Sequence, residues 1–373
     1  MEDIGHVLAK VAADLAAAED HRKFRAYRRR QSPLMGGTIP SFLESLHKLY
    51  LEADALAHHY QHQTYRTLGW MFILGLFTAV FFELNAHVVP HDPVSIRVMN
   101  KLAPYLGEDI ATSVILGATL FIYLSLWGVI GLWYWPSRRD RFQENFRSYR
   151  ALAEGLRVQF FWLLVGITDS IGEVFEARDA DEALPVLDII EHLAAAPRLE
   201  AHRTAGTCEL AFIHWVDGQE VYFNNAIKRE ERRLNLLKRI ELGCFWAALL
   251  FPLCLMLAHF VFVVSPEDRA NVTGAVFIGL SVPAWRLLAI VMSALAMVSA
   301  GLLHGYIEKR AFGEHLESYR RIQSMFHYYM NVLKPDRPED AKDHLREFGK
   351  MALRENGDWV SLHRWRPLEP PRG

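Results

Sequence analysis

Three ionisable residues stand in or beside long apolar stretches of this chain: Glu83, His259 and Arg286. A charge at bilayer depth is costly and is kept where it acts as a counter-ion, a proton relay or a gate. Glu83 falls late in a run that opens at Leu68, His259 lies at a comparable depth in a later run, and Arg286 opens the last one. A Glu83–Arg286 pair, joined by His259, would make a polar cluster at the outer boundary, suited to gating or permeation. The simpler alternative is that each side chain reaches interfacial water separately. His58 and His62 have the i, i+4 spacing of a metal chelate. With 17 histidines in the chain and no acidic partner at a motif position, HHYQHQ reads instead as a polar helix face, and no metal is expected. The run RKFRAYRRR at 22–30 has the composition of a contact for anionic lipid or nucleic acid. A solvated or lipid-facing helix end explains it more simply, so no nucleic-acid partner is expected. Walker loops, GxGxxG, nucleophile elbows and HExxH are missing from the sequence. Neither enzymatic activity nor a cofactor is expected. Cys208, Cys244 and Cys254 form no disulfide or metal pattern.

These side chains must be positioned by the elements around them. Of the 373 residues, 51% are hydrophobic, 12% aromatic and 23% charged, a mixture that demands segregation into apolar and charged blocks. Four apolar blocks stand out, at about 68–89, 110–135, 242–264 and 287–306. Each approaches the ~20 residues with which a helix crosses a ~30 Å hydrocarbon layer. Backbone in lipid must satisfy its own hydrogen bonds, so helices are predicted. The fold class expected is an all-α integral membrane protein, with four transmembrane helices as two tandem hairpins and long cytoplasmic helical extensions. Lys and Arg crowd one set of flanks: Arg138, Arg139 and Arg141; Arg232, Arg233, Lys238 and Arg239; Lys309 and Arg310. Between the runs of each pair only Arg97, Lys101, Arg269 and Arg286 occur. That asymmetry predicts a multi-pass protein of the bacterial inner membrane with both termini cytoplasmic. The N-terminus has no uninterrupted apolar core and carries Asp3, Asp14 and Glu19, so neither a signal nor a transit peptide is expected.

The phrase FQENFRSYR at 142–150 returns as FGEHLESYR at 312–320. Phe142, Glu144, Ser148, Tyr149 and Arg150 recur as Phe312, Glu314, Ser318, Tyr319 and Arg320, at a constant offset of 170. Each copy follows the second apolar run of a pair, so a head-to-tail duplication is inferred. Both units keep one orientation, unlike the inverted repeats of many transporters. Apolar residues at 3–4 spacing continue from each copy, predicting an amphipathic stalk. The second run and its stalk are expected to form one helix of more than ~50 residues, roughly 75–80 Å long. The helices at about 41–66 and 217–241 are its expected partners. The domains expected are 1–40, a basic amphipathic helix; 41–167, the first hairpin unit; 168–204, a polar linker; 205–333, the second hairpin unit; and 334–373, a C-terminal helix and tail. Ala289, Ser293, Ala296 and Ala300 fall on one face at 4-3-4 spacing and permit close helix approach, either between copies or within one chain. Thr112, Thr119 and Tyr123 make a thin polar stripe, and Pro252 could kink its helix.

Three stretches, YRALAEGLRVQFFW at 149–162, WVDGQEVYFNNA at 215–226 and ENGDWVSLHRWRPLEPP at 355–371, resemble bacterial membrane proteins of the SLATT class. Those are transmembrane helical-pair domains associated with nucleotide-synthesising or nucleotide-sensing proteins in conflict systems. The resemblance covers most of residues 45–371. It implies an effector that perturbs or permeabilises the membrane when a soluble sensor protein or a nucleotide signal engages its helices, and that works as a homo-oligomer in lipid. It brings no catalytic residues. Many relatives carry a soluble sensor domain on the same chain, whereas only about 40 residues precede Ser41 here. A non-permeating anchor that recruits a soluble partner is the alternative, with Trp359 and Trp365 as a docking surface or as packing on the chain's own stalk. A transporter fits less well, since buried polar groups are scarce.

Overall fold

The computed structural model describes residues 4–30, 39–83, 85, 108–173, 180–201, 211, 215, 218–263, 276–277, 280–332 and 338–366. Among these the chain is all-helical apart from one two-residue antiparallel pair, β1 (Val276–Phe277) with β2 (Leu280–Ser281). The helices are α1 (Ile4–Glu19), α2 (Arg22–Arg30), α3 (Glu44–Glu83), α4 (Glu108–Arg139), α5 (Phe142–Leu164), α6 (Ala180–Ala201), α7 (Gly218–Val263), α8 (Val282–Lys309), α9 (Phe312–Val332) and α10 (Pro338–Arg364). Among the described residues, four helices are long and apolar enough to cross a membrane. The described residues divide into two units. One draws on Met1–Arg66, Ser137–Glu231 and Ala311–Leu368, the other on Thr67–Pro136 and Arg232–Arg310.

The first unit is organised around α5. This helix has no proline, and from Ala151 to Val165 only Arg157 is more than marginally exposed. Its partners are chiefly α6 and α10. Both approach at glycines. A Cβ on Gly349 of α10 would lie 2.4 Å from Trp162 Nε1, and one on Gly155 would lie 2.7 Å from Ile190 Cδ1 of α6. The indole of Trp162 donates to the Leu345 carbonyl at 3.2 Å, so the polar edge of this fully buried ring is satisfied. Beside it, Phe161 stacks on Trp215 with centroids 5.0 Å apart, and Phe348 meets Trp215 edge-on at 4.7 Å. Phe326 of α9 closes the aromatic cluster on Phe348 at 4.8 Å.

Three expectations need correction here. The second apolar run and the stalk do not form one helix. Arg141 (φ 48°) and Ala311 (φ 51°) adopt left-handed backbone, ending one helix and starting the next. An L-residue there is disfavoured by about 1–2 kcal/mol, and the break re-aims the chain. The segment 168–204 is not merely a polar linker, because it contains α6, which runs through Pro197 and buries Ile189, Ile190 and Ala194. The N-terminal segment is two helices rather than one, and Val11, Ala18 and Phe24 of these are buried in the core around α5.

In the second unit most apolar residues face outward, although Leu68, Met71 and Ile130 are buried. Phe121 is 72% exposed and Leu132 77%, and in the most apolar stretches of α4 and α7 only 6% of residues are buried. Soluble monomers rarely expose apolar patches beyond a few hundred Å², so this surface suits a multi-pass membrane protein. Specific contacts join its helices. Trp70 meets Trp133 at 6.1 Å, Phe82 meets Tyr123 at 6.0 Å, and Asn85 donates to Thr119 Oγ1 at 2.7 Å. Ser293 donates to the Ala248 carbonyl at 2.7 Å, His304 pairs with Glu241 at 2.9 Å, and Phe72 meets Tyr306 at 5.5 Å. α7 runs through Pro252 as a helix.

Candidate functional site: a charged seam in the α5 unit

The most buried helix carries a row of charges. Arg147, Arg150, Glu154 and Arg157 recur at 3–4 residue spacing, which puts them on one face of α5. Arg147 and Glu154 are buried, and Arg157 forms an ion pair with Glu154. Charges inside a core are costly unless paired, so the neighbours of this row are informative. From α3 come Tyr50 and Asp54. Burial pushes the Tyr50 hydroxyl up to about 12, opposed by the Arg157 charge, and keeps it protonated. Asp54 accepts from the Tyr27 hydroxyl of α2 at 2.8 Å. From α10 comes Glu355, which accepts from Ser318 of α9. Burial raises the Glu355 carboxyl above the usual range, while Arg150 and the Ser318 hydroxyl oppose that rise. The seam thus joins α2, α3, α5, α9 and α10 through polar groups. Such an arrangement fixes register between helices, and any shift of one helix would leave buried charge unpaired, at a cost of several kcal/mol.

The repeated phrase supplies the edges of this seam, and its chemistry becomes legible as a helix start. In both copies the left-handed residue is followed by Phe at the first helical position and Glu at the third, where the helix dipole favours an anion. Glu144 pairs with Arg141 at 3.5 Å, and Glu314 pairs with Arg366. The backbone N–H of Asn145 donates to Arg141 O at 2.9 Å, and that of His315 to Ala311 O at 2.9 Å, again at an offset of 170. Tyr149 donates to Asp14 Oδ2 at 2.5 Å and stacks on Tyr60 with centroids 5.7 Å apart. Tyr319 instead meets Phe223 at 5.5 Å, and Arg320 pairs with Glu231 at 3.0 Å. Phe142 is half-buried and Phe312 buried. Both copies reach the end of α10. Gln143 donates to the carbonyls of His363 (3.0 Å) and Arg366 (2.8 Å), capping that helix. His315 lies 3.2 Å from His363, nitrogen to nitrogen, and His363 Nδ1 lies 2.9 Å from the Trp359 carbonyl. If His363 donates through Nδ1, its Nε2 accepts and His315 donates.

The other residues singled out in the sequence fall as follows. Glu83 ends α3, and the side chains of His259 and Arg286 lie outside the described residues. On α8 the small-residue face includes Ser293, bonded to Ala248 of α7, and Ala300, which is buried; Ala289 and Ala296 are half-buried. Thr119 and Tyr123 contact Asn85 and Phe82, while the side chain of Thr112 lies outside the described residues. His62 accepts from Lys23 at 2.6 Å, and the His58 ring packs on Tyr27 at 4.1 Å. Trp359 packs on Phe146 at 5.0 Å, whereas Trp365 is 81% exposed. Sequence reading missed the seam. Its signal was present as Arg147, Arg150, Glu154 and Arg157 inside a stretch otherwise read as an amphipathic stalk, but spacing alone cannot separate a buried charged face from a solvated one. No family model matches the chain, and no curated protein or solved structure matches it either.

Proposed function

We propose that the chain is a membrane effector of a bacterial defence or stress system, built as two tandem hairpins in the inner membrane with the α5 unit and both termini in the cytoplasm. A soluble sensor protein or a nucleotide-type signal engages the helical unit, and the hairpins of an oligomer then perturb or permeabilise the bilayer. The hairpin reading draws on the contacts that pair α3 with α4 and α7 with α8. As positions advance along one helix of each pair, their partners recede along the other. The cytoplasmic assignment draws on the Lys and Arg flanks, and the effector role on the SLATT-like phrases.

The single observation that supports signal coupling best is an asymmetry of helix continuity. α3 and α7 continue for several turns on both sides of the residues where the two units divide, whereas the helices leaving the apolar runs stop within a few residues of that division, at the breaks of Arg141 and Ala311. An unbroken helix transmits rotation or translation, and a left-handed residue absorbs it. A shift in the charged seam would therefore reach the first hairpin through α3. Controlled expression in bacterial cells with a potentiometric dye tests this. The effector reading expects depolarisation and growth arrest, relieved when Arg157→Met loosens the seam while the protein still reaches the membrane. Sustained polarisation at high expression, with or without co-expressed neighbouring genes, would favour the second reading, a non-permeating anchor. The exposed Trp365 and Leu199 of the α5 unit are the surface such an anchor would offer a soluble partner.

A further inference from the structure

The basic helix α2 has two different sides. Its apolar side is seated on α3: Phe24 is buried and meets His59 at 5.7 Å, and Tyr27 packs on His58 and donates to Asp54. The preceding His21 meets His59 at 4.8 Å. Its other side carries Arg22, Lys23, Arg25 and Arg28, all exposed. Only part of this charge is used locally. Lys23 donates to His62, Arg28 pairs with Glu19, and Arg25 donates to the Glu19 carbonyl at 3.0 Å. Between 22 and 30 there are six cations and no anion, against Glu19 and Asp20 just before. The seat is also informative. His62, which holds Lys23, precedes Leu68 by six residues on the uninterrupted helix α3, and Leu68 opens the first apolar run. Six residues are less than two helical turns. A cationic face held that close in the chain to a bilayer-crossing segment meets the phosphate layer of the leaflet, where basic residues are attracted to anionic lipid.

We propose that the outer face of α2 binds anionic phospholipid headgroups, through Arg22, Lys23 and Arg25, while Phe24 and Tyr27 hold the helix to α3. The inference rests on the membrane reading of the apolar runs. It adds a specific lipid class and a specific site. Headgroup binding would clamp α2, and through Tyr27–Asp54 the edge of the charged seam, so that leaflet composition bears on the state of the α5 unit.

Amide hydrogen exchange of the full-length protein in nanodiscs tests it. Nanodiscs of phosphatidylcholine alone are compared with nanodiscs containing phosphatidylglycerol, and with phosphatidylcholine nanodiscs plus inorganic phosphate. Exchange at 22–30 is expected to slow at least about tenfold with phosphatidylglycerol, at roughly fivefold in affinity per cation. The effect should fade in high salt and be absent with inorganic phosphate. The double variant Arg22→Gln/Arg25→Gln, which leaves Lys23–His62 and Arg28–Glu19 in place, should lose most of the difference while α1 keeps its protection. Equal exchange of α2 in both lipids overturns the proposal. Protection by inorganic phosphate alone overturns the lipid source in favour of a soluble anion. Amides of α7 and α8 report separately on the membrane reading: if their apolar stretches exchange freely in every nanodisc, the spanning assignment fails first.

Discussion

The helices that begin with the repeated phrase, α5 and α9, start alike and end in different surroundings. Both follow a left-handed residue, and both place Phe first and Glu third. α5 is then buried on nearly every side, with Trp162, Phe160 and Phe161 at its centre. α9 keeps two faces: Phe312, Leu316, Ile322 and Phe326 point inward, while Glu317, Arg321, Ser324 and Tyr328 are exposed. A local phrase specifies how a helix begins, and what the helix becomes depends on how many neighbours cover it. Among the described residues, α6 and α10 cover the first copy, and no comparable pair covers the second.

That comparison can be broken in several ways. The largest effect is expected from Trp162→Ala, which should cost about 3–5 kcal/mol through lost contacts and a cavity. Tyr328→Ala on the exposed side of α9 should change stability by less than about 0.5 kcal/mol. Chemical denaturation of the full-length protein in detergent measures both, and equal losses would refute the contrast. Next, Gly349→Ala should cost about 2 kcal/mol by forcing a Cβ into the Trp162 indole. Gly313→Ala, in open space in the first turn of α9, should stabilise by about 0.5–1 kcal/mol. Tyr149→Phe removes the donor to Asp14 and should cost about 1–2 kcal/mol. Arg320→Ala breaks only a half-exposed pair and should cost about 0.5 kcal/mol or less.

Two smaller effects sharpen the comparison. Arg141→Gly and Ala311→Gly should each stabilise by about 0.5 kcal/mol, since glycine relieves the left-handed strain at an entropic cost. Opposite signs at the two positions would show that the breaks are not equivalent. Glu355 sits where the copies meet, accepting from Ser318 of one and lying near Arg150 of the other. Its carboxyl is raised in the folded protein, so the fold takes up a proton that the unfolded chain would release. Stability from this group is full below the usual carboxylate pKa and is lost as pH rises through the raised value. Glu355→Gln should therefore stabilise the unit modestly at pH 7 and flatten that loss. A pH titration of unfolding midpoints for the two proteins gives the sign directly.

Length and composition alone determined that four helices could cross a membrane, because apolar runs of that extent have few other stable uses. The recurrence at an offset of 170 was visible as a duplication, but not as a pair of helix starts, since Phe, Glu and Tyr at those spacings suit the interior of one long helix equally well. Three features were not local and could not be read that way. The breaks at Arg141 and Ala311 occur in residues with no preference for left-handed backbone, so tertiary packing imposes them. The burial of α6, with two prolines and a polar flank, depends on the Gly155 gap that receives Ile190. The charged seam is a solvated stripe until α3, α9 and α10 close over it, because identical spacing serves water and core alike and only neighbouring helices decide which one the charges meet.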